Sequence, residues 1–539
     1  MKTFKGTNAS PGWSSSKAFL LNNEINFNNT AKLNIMRGLE ILTNKYESLI
    51  SELKSSNREL EAEIILGYKL ILNDPEILTE IEDLETKDIK TIHSIFLNAA
   101  EQMNLLENEY FKQRSEDILS VGKELILTMQ EAHQDKVKDE EVIIIAKDLT
   151  PTDTSSLNLK NVKGFIVEKA GPTSHTVIIA KNLGIPCVIG LKLENFEGHN
   201  DSMIVIDGSS GNVYVEPTNE ILDQVRNYQL LNLDVASNYT QDNIIKLGIE
   251  FRANIGSEEE LEIFNDKIIN SVGLFRSEFI YINSDRPPTL EEQVGINNKI
   301  DSKFSGTVVF RTLDIGGDKQ VPYLNLPEEE NPFLGVRGIR LSLVDEKIFR
   351  EQIVSILSSK LLPKVKIMFP MVALLEDFLK AKDIVVNEAQ NLGVEVPKLG
   401  VMIETPAAAI GAESFIGHVD FFSIGTNDLV QYTLAADRGL SSLADYQDSL
   451  HPSVLYLINK VIEVGKLHNI EISVCGDMAS DIEGAKILYG LGLRIFSLAP
   501  SQAPLILDSI LKFIDSGRKL DKNEILVQKN SQNVRKLIE

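Results

Sequence analysis

The sequence predicts a multidomain α/β protein, in which a small α/β domain with an inserted helical domain precedes a closed (β/α)8, or TIM, barrel. A chain of 539 residues is too long for one hydrophobic core. Helical periodicity runs from about residue 30 to 127, and eight strand-sized apolar runs separated by helix-length sequence follow residue 245. An open doubly wound sheet is the alternative for this second part, but eight repeats favour closure.

Composition and charge argue against several classes of function and location. A net charge of −24 argues against general nucleic-acid binding, which needs a basic surface. The two cysteines, Cys187 and Cys475, fit neither a disulfide framework nor a zinc motif, which suits a reducing interior. The first 21 residues lack an apolar run of signal-peptide length, and the other apolar runs are strand-sized. We therefore expect a cytoplasmic protein with no membrane insertion.

The first 141 residues divide into two parts. Residues 1–25 are predicted to add a strand to the small α/β domain, and residues 26–141 form the helical insert, where Pro75 marks a helix start. Between residues 31 and 140 there are 23 acidic and 13 basic residues. Such a surface is usually only solvated, but it also suits a basic protein partner.

Residues 142–217 alternate short β-like runs with helical pieces, which completes the small α/β domain. Within it, Gly171-Pro172-Thr173-Ser174-His175-Thr176 lies between a strand-like run and a helix-like run. This places His175 near a helix N-terminus, where backbone N–H groups favour an anion. A histidine flanked by hydroxyls there can attack a phosphoryl group and hold it as phosphohistidine, although such clusters are commonly only helix caps.

Residues 218–245 are predicted to be a helical linker, and residues 246–539 the barrel. The eight predicted strands are Phe251–Ile255, Val272–Phe275, Val308–Leu313, Ile367–Met371, Gly400–Glu404, Phe421–Ile424, Ile472–Cys475 and Arg494–Leu498.

Polar residues follow these strands, at the ends where barrel enzymes build their sites. Arginines there favour a phosphate and a carboxylate, and two acids on neighbouring strands suit Mg²⁺ held together with substrate oxygens. A small phosphorylated carboxylic acid fits best. The strand-end and loop residues are Arg276, Arg311, Arg337, Glu404, Asn427, Asp428, Arg438 and Cys475.

Several of these stretches resemble enzyme I of the bacterial phosphotransferase system, the phosphoenolpyruvate-protein phosphotransferase family, and the similarity runs nearly end to end. Besides the segment around His175, the matching stretches are Gly273-Leu274-Phe275-Arg276-Ser277-Glu278-Phe279, Arg311-Thr312-Leu313-Asp314-Ile315-Gly316-Gly317-Asp318-Lys319, Asn331-Pro332-Phe333-Leu334-Gly335, Glu404-Thr405-Pro406-Ala407-Ala408-Ala409, Ser423-Ile424-Gly425-Thr426-Asn427-Asp428-Leu429 and Gln431-Tyr432-Thr433-Leu434.

The resemblance implies a role for each residue. His175 would be the phosphorylated nucleophile and Cys475 the proton donor to the enolate. Mg²⁺ would be held by Glu404 and Asp428. Phosphoenolpyruvate would be bound by Arg276, Arg311, Arg337, Asn427, Asp428 and Arg438. The resemblance also implies swivelling of the small α/β domain, transfer to the phosphocarrier protein HPr docked on the helical insert, and a homodimer formed through the barrel.

The chain departs from the family pattern at a few positions. Pro172 replaces an arginine near the histidine, Asp477 replaces a glutamate after the cysteine, and Tyr68 stands where relatives often carry histidine. Trp13 lies in a usually small, apolar stretch. Two other readings remain: a swivelling dikinase related to phosphoenolpyruvate synthase, for which the chain has no room for an ATP-binding domain, and a degenerate regulatory relative.

Overall fold

The computed structural model describes residues 1–21, 35–55, 59–82, 88–104, 109–129, 140–149, 153–154, 157–170, 174, 176–177, 179–180, 184–256, 260–261, 268–282, 286–317, 321–324, 326, 329–437, 443, 446–518 and 520–538. These residues form two compact units, residues 1–227 and residues 228–539. Within the described ranges, no helix combines the length and the apolar character that crossing a membrane requires.

The first unit contains an eight-stranded mixed sheet in the order β1-β8-β7-β3-β4-β5-β6-β2. The expectation that the N-terminal residues add a strand is confirmed, because β3 lies between β7 and β4 and pairs in parallel with β4. The strands are β1 (Lys2–Lys5), β2 (Thr7–Ser10), β3 (Trp13–Leu21), β4 (Val142–Ala146), β5 (Val162–Val167), β6 (Cys187–Ile189), β7 (Met203–Asp207) and β8 (Asn212–Val215).

Both faces of this sheet are covered. Every residue of β4, a run of Val, Ile and Ala, is buried, as expected for a central strand packed on both sides. Ile144 and Phe165 belong to one apolar cluster, whereas Ile143 and Ile166 belong to a second. The alternation of neighbouring residues between clusters follows from the two-residue period of a strand.

Helices α1 to α5 separate β3 from β4 along the chain and form their own core, which includes Leu42 and Tyr46. Pro75 is the first residue of α3, as predicted, and Asp74 Oδ1 accepts a hydrogen bond of 2.9 Å from the Glu76 N–H. The helices are α1 (Ile35–Ser55), α2 (Glu59–Leu72), α3 (Pro75–Glu82), α4 (Ile89–Asn104) and α5 (Glu109–Met129).

Two helices follow β8: α6 (Asn219–Asn238), within which the boundary between the two units falls, and α7 (Gln241–Lys246). After them, eight strands close into a barrel in which every neighbouring pair is parallel. The predicted closed barrel is therefore confirmed. Its strands are β9 (Glu250–Ile255), β10 (Val272–Arg276), β11 (Val308–Arg311), β12 (Val365–Phe369), β13 (Lys398–Ile403), β14 (Phe421–Gly425), β15 (Glu471–Cys475) and β16 (Ile495–Leu498).

Helices lie between and after these strands. They are α8 (Glu278–Ile282), α9 (Leu290–Lys303), α10 (Ile339–Val344), α11 (Glu346–Leu357), α12 (Leu375–Leu392), α13 (Pro406–Ile410), α14 (Thr426–Leu434), α15 (Pro452–His468), α16 (Asp477–Ser480), α17 (Ile482–Leu491), α18 (Ala503–Asp515), α19 (Lys522–Leu526) and α20 (Ser531–Arg535).

Three strands end earlier than the sequence predicts. Strand β11 ends at Arg311 instead of Leu313, β12 at Phe369 instead of Met371, and β13 at Ile403 instead of Glu404. Met371 has a φ of 56°, a left-handed conformation that a strand does not accommodate. The chain therefore turns at the barrel rim shortly after β12.

The barrel interior is charged at its N-terminal end. Arg252 of β9 donates to Glu250 Oε1 at 2.7 Å and to Glu471 Oε1 at 2.9 Å, and Lys366 donates to both oxygens of Glu471 at 2.8 Å. Farther along the strands, the enclosed residues are mainly apolar. They form the cluster Leu274, Val309, Met368, Met402, Phe421 and Cys475.

Candidate active site

Six predicted site residues of the barrel lie at or just after the C-terminal ends of its strands. Arg276, Arg311 and Cys475 are the last residues of β10, β11 and β15, and Glu404 directly follows β13. Asn427 and Asp428 lie in the first turn of α14, which begins where β14 ends. Because all eight strands are parallel, these ends meet at one rim.

Arg311 is buried at this rim between acidic side chains. Its Nη2 pairs with Glu278 Oε1, and its Nη1 lies 3.1 Å from Asp314 Oδ2. Burial opposes the charged form, but Glu278, Asp314 and Glu404 outweigh it and raise the Arg311 pKa. The guanidinium is therefore a permanent cation at the barrel mouth.

Arg337 is completely buried and joins two acidic residues. Its Nη1 and Nη2 donate to the two oxygens of Asp428 at 3.0 and 3.1 Å, a bidentate pair. Its Nε lies 3.2 Å from Asp314 Oδ1 and its Nη2 3.4 Å from Asp314 Oδ2. Although burial disfavours the charge, these acids raise the Arg337 pKa. Arg337 thereby fixes Asp428 at the rim.

Glu404 is 1% exposed, and its Oε1 accepts a hydrogen bond from the backbone N–H of Met371. Among the described residues it forms no ion pair of its own. Burial, followed by the charges of Asp428 and Asp314, raises the pKa of Glu404, although Arg311 and Arg337 oppose this rise. Glu404 and Asp428 are thus close enough to repel each other electrostatically.

Cys475 is 2% exposed, and its Sγ accepts a hydrogen bond of 3.1 Å from Ser423 Oγ. Burial raises the pKa of Cys475 to about 12, against the effects of this hydrogen bond and of the Arg311 charge. The side chain is therefore a neutral thiol near pH 7, able to give up a proton.

Arg276 and Asn427 are less enclosed. Arg276 Nη2 lies 3.4 Å from Glu260 Oε1, and the guanidinium carbon lies 5.0 Å from the centre of the Phe279 ring. Asn427 Oδ1 accepts a hydrogen bond of 2.9 Å from the Asp477 N–H, which ties α14 to α16. Neither residue belongs to the ion-pair network of Arg337.

Two donors at this rim are buried without a partner. Within the described part of the chain, the Nε atoms of Arg276 and Arg311 have no hydrogen-bond acceptor. An unpaired buried guanidinium N–H is costly, so such donors normally meet a ligand or water. An anionic ligand with several oxygens would satisfy both.

The residues present fit a magnesium ion. Crowded carboxylates that raise a neighbour's pKa are the arrangement that a divalent cation relieves, and Mg²⁺ prefers oxygen ligands. Across the described residues, no group of three or more His, Cys, Asp or Glu side chains is arranged to hold a metal. Mg²⁺ commonly uses one or two carboxylates together with waters and substrate phosphates, so Glu404 and Asp428 suffice as protein ligands.

Two predicted site residues, His175 and Arg438, lie outside the described residues. Next to His175, Ser174 Oγ is buried and has no hydrogen-bond partner within the described part of the chain. Of the family departures, Pro172 also lies outside, Tyr68 is buried in the helical core, and the exposed Asp477 begins α16.

The structure adds residues that the sequence reasoning did not assign to the site. Glu278 and Asp314 pair with the arginines, and both stand inside the stretches that suggested the family. Gln352 of α11 donates to Ser277 Oγ at 3.0 Å and accepts from the Leu313 N–H at 3.0 Å, which supports the ends of β10 and β11. No sequence signal marks Gln352, because its partners come from distant segments.

The chain matches known protein families in both of its units. Residues 234–513 match the PEP-binding domain of PEP-utilising enzymes, and residues 138–211 match their mobile domain. The proteins named phosphoenolpyruvate-protein phosphotransferase in Listeria innocua serovar 6a, Staphylococcus aureus strain MRSA252 and Priestia megaterium are each 37% identical to this chain. Each match covers 97% of the chain and 95% of the relative.

A solution structure titled Enzyme I (nEIt) is 27% identical and covers 42% of this chain and 99% of its own, with a TM-score of 0.36. Because that score is low, the fold assignment rests on the strand pairing and on the longer matches.

Proposed function

Because the chain belongs to the phosphoenolpyruvate-protein phosphotransferase family, we propose that it transfers the phosphoryl group of phosphoenolpyruvate to His175 and then to a histidine of HPr, releasing pyruvate. This is the first step of sugar uptake by the phosphotransferase system. The site assignment rests on one observation. Buried guanidinium groups, two Nε donors without an acceptor among the described residues, and a neutral thiol all lie at the barrel rim.

In this mechanism, the arginines bind and orient the substrate. Arg276 and Arg311 donate hydrogen bonds from their Nε atoms to the phosphate and carboxylate of the substrate. Asn427 and Arg438 also bind the substrate. Arg337 and Asp428, which the family resemblance also gives as substrate-binding residues, hold each other in place by a bidentate ion pair. Neutral His175 attacks the phosphorus atom in line. The bond between phosphorus and the enol oxygen breaks, so enolpyruvate leaves.

Cys475 then gives its thiol proton to C3 of enolpyruvate. The C2–C3 double bond becomes single, and the C2 oxygen becomes the carbonyl of pyruvate. Glu404 and Asp428 would hold Mg²⁺, which, when bound, neutralises charge on the phosphoryl oxygens.

The domain assignments are part of this proposal. Residues 1–25 and 142–217 form the phosphohistidine domain, residues 26–141 the HPr-binding insert, and residues 218–245 the linker. Residues 246–539 form the substrate-binding and dimerisation barrel. His175 travels between the barrel mouth and HPr by a swivelling motion, in the cytoplasm.

The test is incubation of the full chain with radiolabelled phosphoenolpyruvate and Mg²⁺. We expect acid-labile label on the wild type and none on His175→Ala. His199→Ala is the matched control, because His199 lies in the same unit and has no assigned role. An unlabelled wild type, or undiminished label on His175→Ala, would exclude the proposal. A requirement for ATP would favour a dikinase instead.

A further inference from the structure

A buried serine lies against the thiol of Cys475. Ser423, in the middle of β14, is fully buried, and its Oγ donates a hydrogen bond of 3.1 Å to Cys475 Sγ on the adjacent strand β15. The two strands pair so that Gly425 lies opposite Cys475 and Ser423 lies two residues deeper in the barrel. The hydroxyl therefore approaches the sulfur from the barrel interior, on the side away from the rim.

The rest of the sulfur's surroundings cannot replace this donor. Cys475 packs in an apolar cluster with Leu274, Val309, Met368, Met402 and Phe421. A thiolate formed there would be poorly solvated, because burial disfavours the charged form. Of the charged groups that act on the sulfur, Arg311 favours a thiolate and Glu404 disfavours it. Among the residues that the structure describes, Ser423 is the one whose side chain donates a hydrogen bond to the sulfur.

A second serine offers a comparison. Ser473 pairs directly opposite Ser423 and is equally buried, but its Oγ lies 3.5 Å from the carbonyl of Phe422 and not at the sulfur. The two serines thus share depth, strand environment and burial. They differ in the atom that accepts the hydrogen bond of the hydroxyl: a sulfur for Ser423 and a backbone carbonyl for Ser473.

We propose that Ser423 is a positioning residue for proton transfer: it holds Cys475 Sγ by a donated hydrogen bond that leaves the thiol proton free to point toward substrate. This inference rests on the proposed function, in which Cys475 protonates enolpyruvate. A lone sulfur would rotate among its staggered positions, whereas the Ser423 hydrogen bond selects one of them.

The S–H bond of Cys475 breaks, and its proton forms a C–H bond at C3 of the enolate while the electron pair of S–H stays on sulfur. The Ser423 hydroxyl then donates to a thiolate, and a hydrogen bond to a charged group is stronger than one to a neutral group. Water returns the proton to sulfur. In the reverse direction the same thiolate removes a C3 proton from pyruvate.

The test compares two rates in the full-length chain with Mg²⁺. The first is single-turnover labelling by radiolabelled phosphoenolpyruvate, which reports phosphoryl transfer. The second is exchange of the pyruvate methyl hydrogens with D₂O in an equilibrium mixture of phosphoenolpyruvate and pyruvate, followed by NMR. For Ser423→Ala we expect the ratio of exchange rate to labelling rate to fall about tenfold, as for loss of a hydrogen bond to an ionised group. For Ser473→Ala we expect the wild-type ratio.

Every other result counts against the proposal. An unchanged ratio in Ser423→Ala would show that the hydroxyl does not serve the proton step. Equal loss of both rates would show a general structural role, as would an equal fall in the ratio for Ser473→Ala. Absence of label on the wild type would instead overturn the proposed function, so the two failures are distinguishable.

Discussion

Replacing Arg337 with methionine tests whether this buried arginine compensates two buried acids. The substitution keeps an unbranched apolar stem but removes the guanidinium that lies 3.0 and 3.1 Å from Asp428 and 3.2 and 3.4 Å from Asp314. Breaking a buried ion pair by removing one partner costs about 3–5 kcal/mol. Because one cation serves both acids, the two costs are not additive, and we expect about 3–5 kcal/mol in total. For the barrel unit, residues 228–539, an unfolding entropy of about 2.1 cal/mol/K per residue converts this into a fall in Tm of roughly 5–8 °C.

Calorimetry of the full chain measures this change. The single tryptophan, Trp13, lies in the first unit, so its fluorescence identifies that unit's transition and leaves the other to the barrel. Arg286→Met is the control, because Arg286 pairs with Glu292 at 2.6 Å while its side chain is 59% exposed. Such exposed pairs contribute about 0–1 kcal/mol.

The destabilisation of Arg337→Met should also depend on pH. In Arg337→Met the two acids lose their cation and become easier to protonate, so the destabilisation should shrink as the pH is lowered. If Arg337→Met and Arg286→Met change the barrel transition equally at pH 7, the idea that Arg337 compensates Asp314 and Asp428 is refuted.

Three further predictions follow from the buried polar groups of the barrel. Burial alone would raise the pKa of Glu471. Hydrogen bonds and charges from Arg252 and Lys366 outweigh burial and lower the Glu471 pKa to about 2. Its stabilisation is therefore full above the unfolded pKa of about 4.3 and lost as pH falls toward 2; Glu471→Gln should flatten the acid side of the barrel's Tm-versus-pH curve. Because burial raises the pKa of Cys475 to about 12, iodoacetamide at pH 8 should modify it far more slowly in the folded than in the denatured chain, as measured by mass spectrometry, and rapid modification of the folded chain would contradict this. The Tyr432 hydroxyl donates a hydrogen bond of 2.5 Å to the backbone carbonyl of Phe333 and accepts one of 3.3 Å from Arg337. Tyr432→Phe should therefore lower the labelling rate several-fold, whereas Tyr456→Phe should leave it unchanged, because Tyr456 is 62% exposed.

The sequence predicted the barrel because its strands are nearly continuous apolar runs of similar spacing, a pattern that depends only on local chain geometry and burial. It also placed Arg311, Glu404 and Cys475 correctly at strand ends, because parallel strands bring equivalent ends to one rim. Strand limits were less predictable. Met371 would continue an apolar strand by composition, and its left-handed backbone is imposed by the turn at the rim.

By itself, the sequence determined the fold class, the family and the types of residue at the barrel mouth. Tertiary structure alone decided which groups pair. The pairing of the Arg337 guanidinium with Asp314 and Asp428, and the hydrogen bond from Ser423 to the sulfur of Cys475, have no counterpart in the sequence pattern. The physical reason is that hydrogen bonds and pKa shifts act over a few ångströms, and residues 52 or 91 positions apart reach that distance only after the barrel closes.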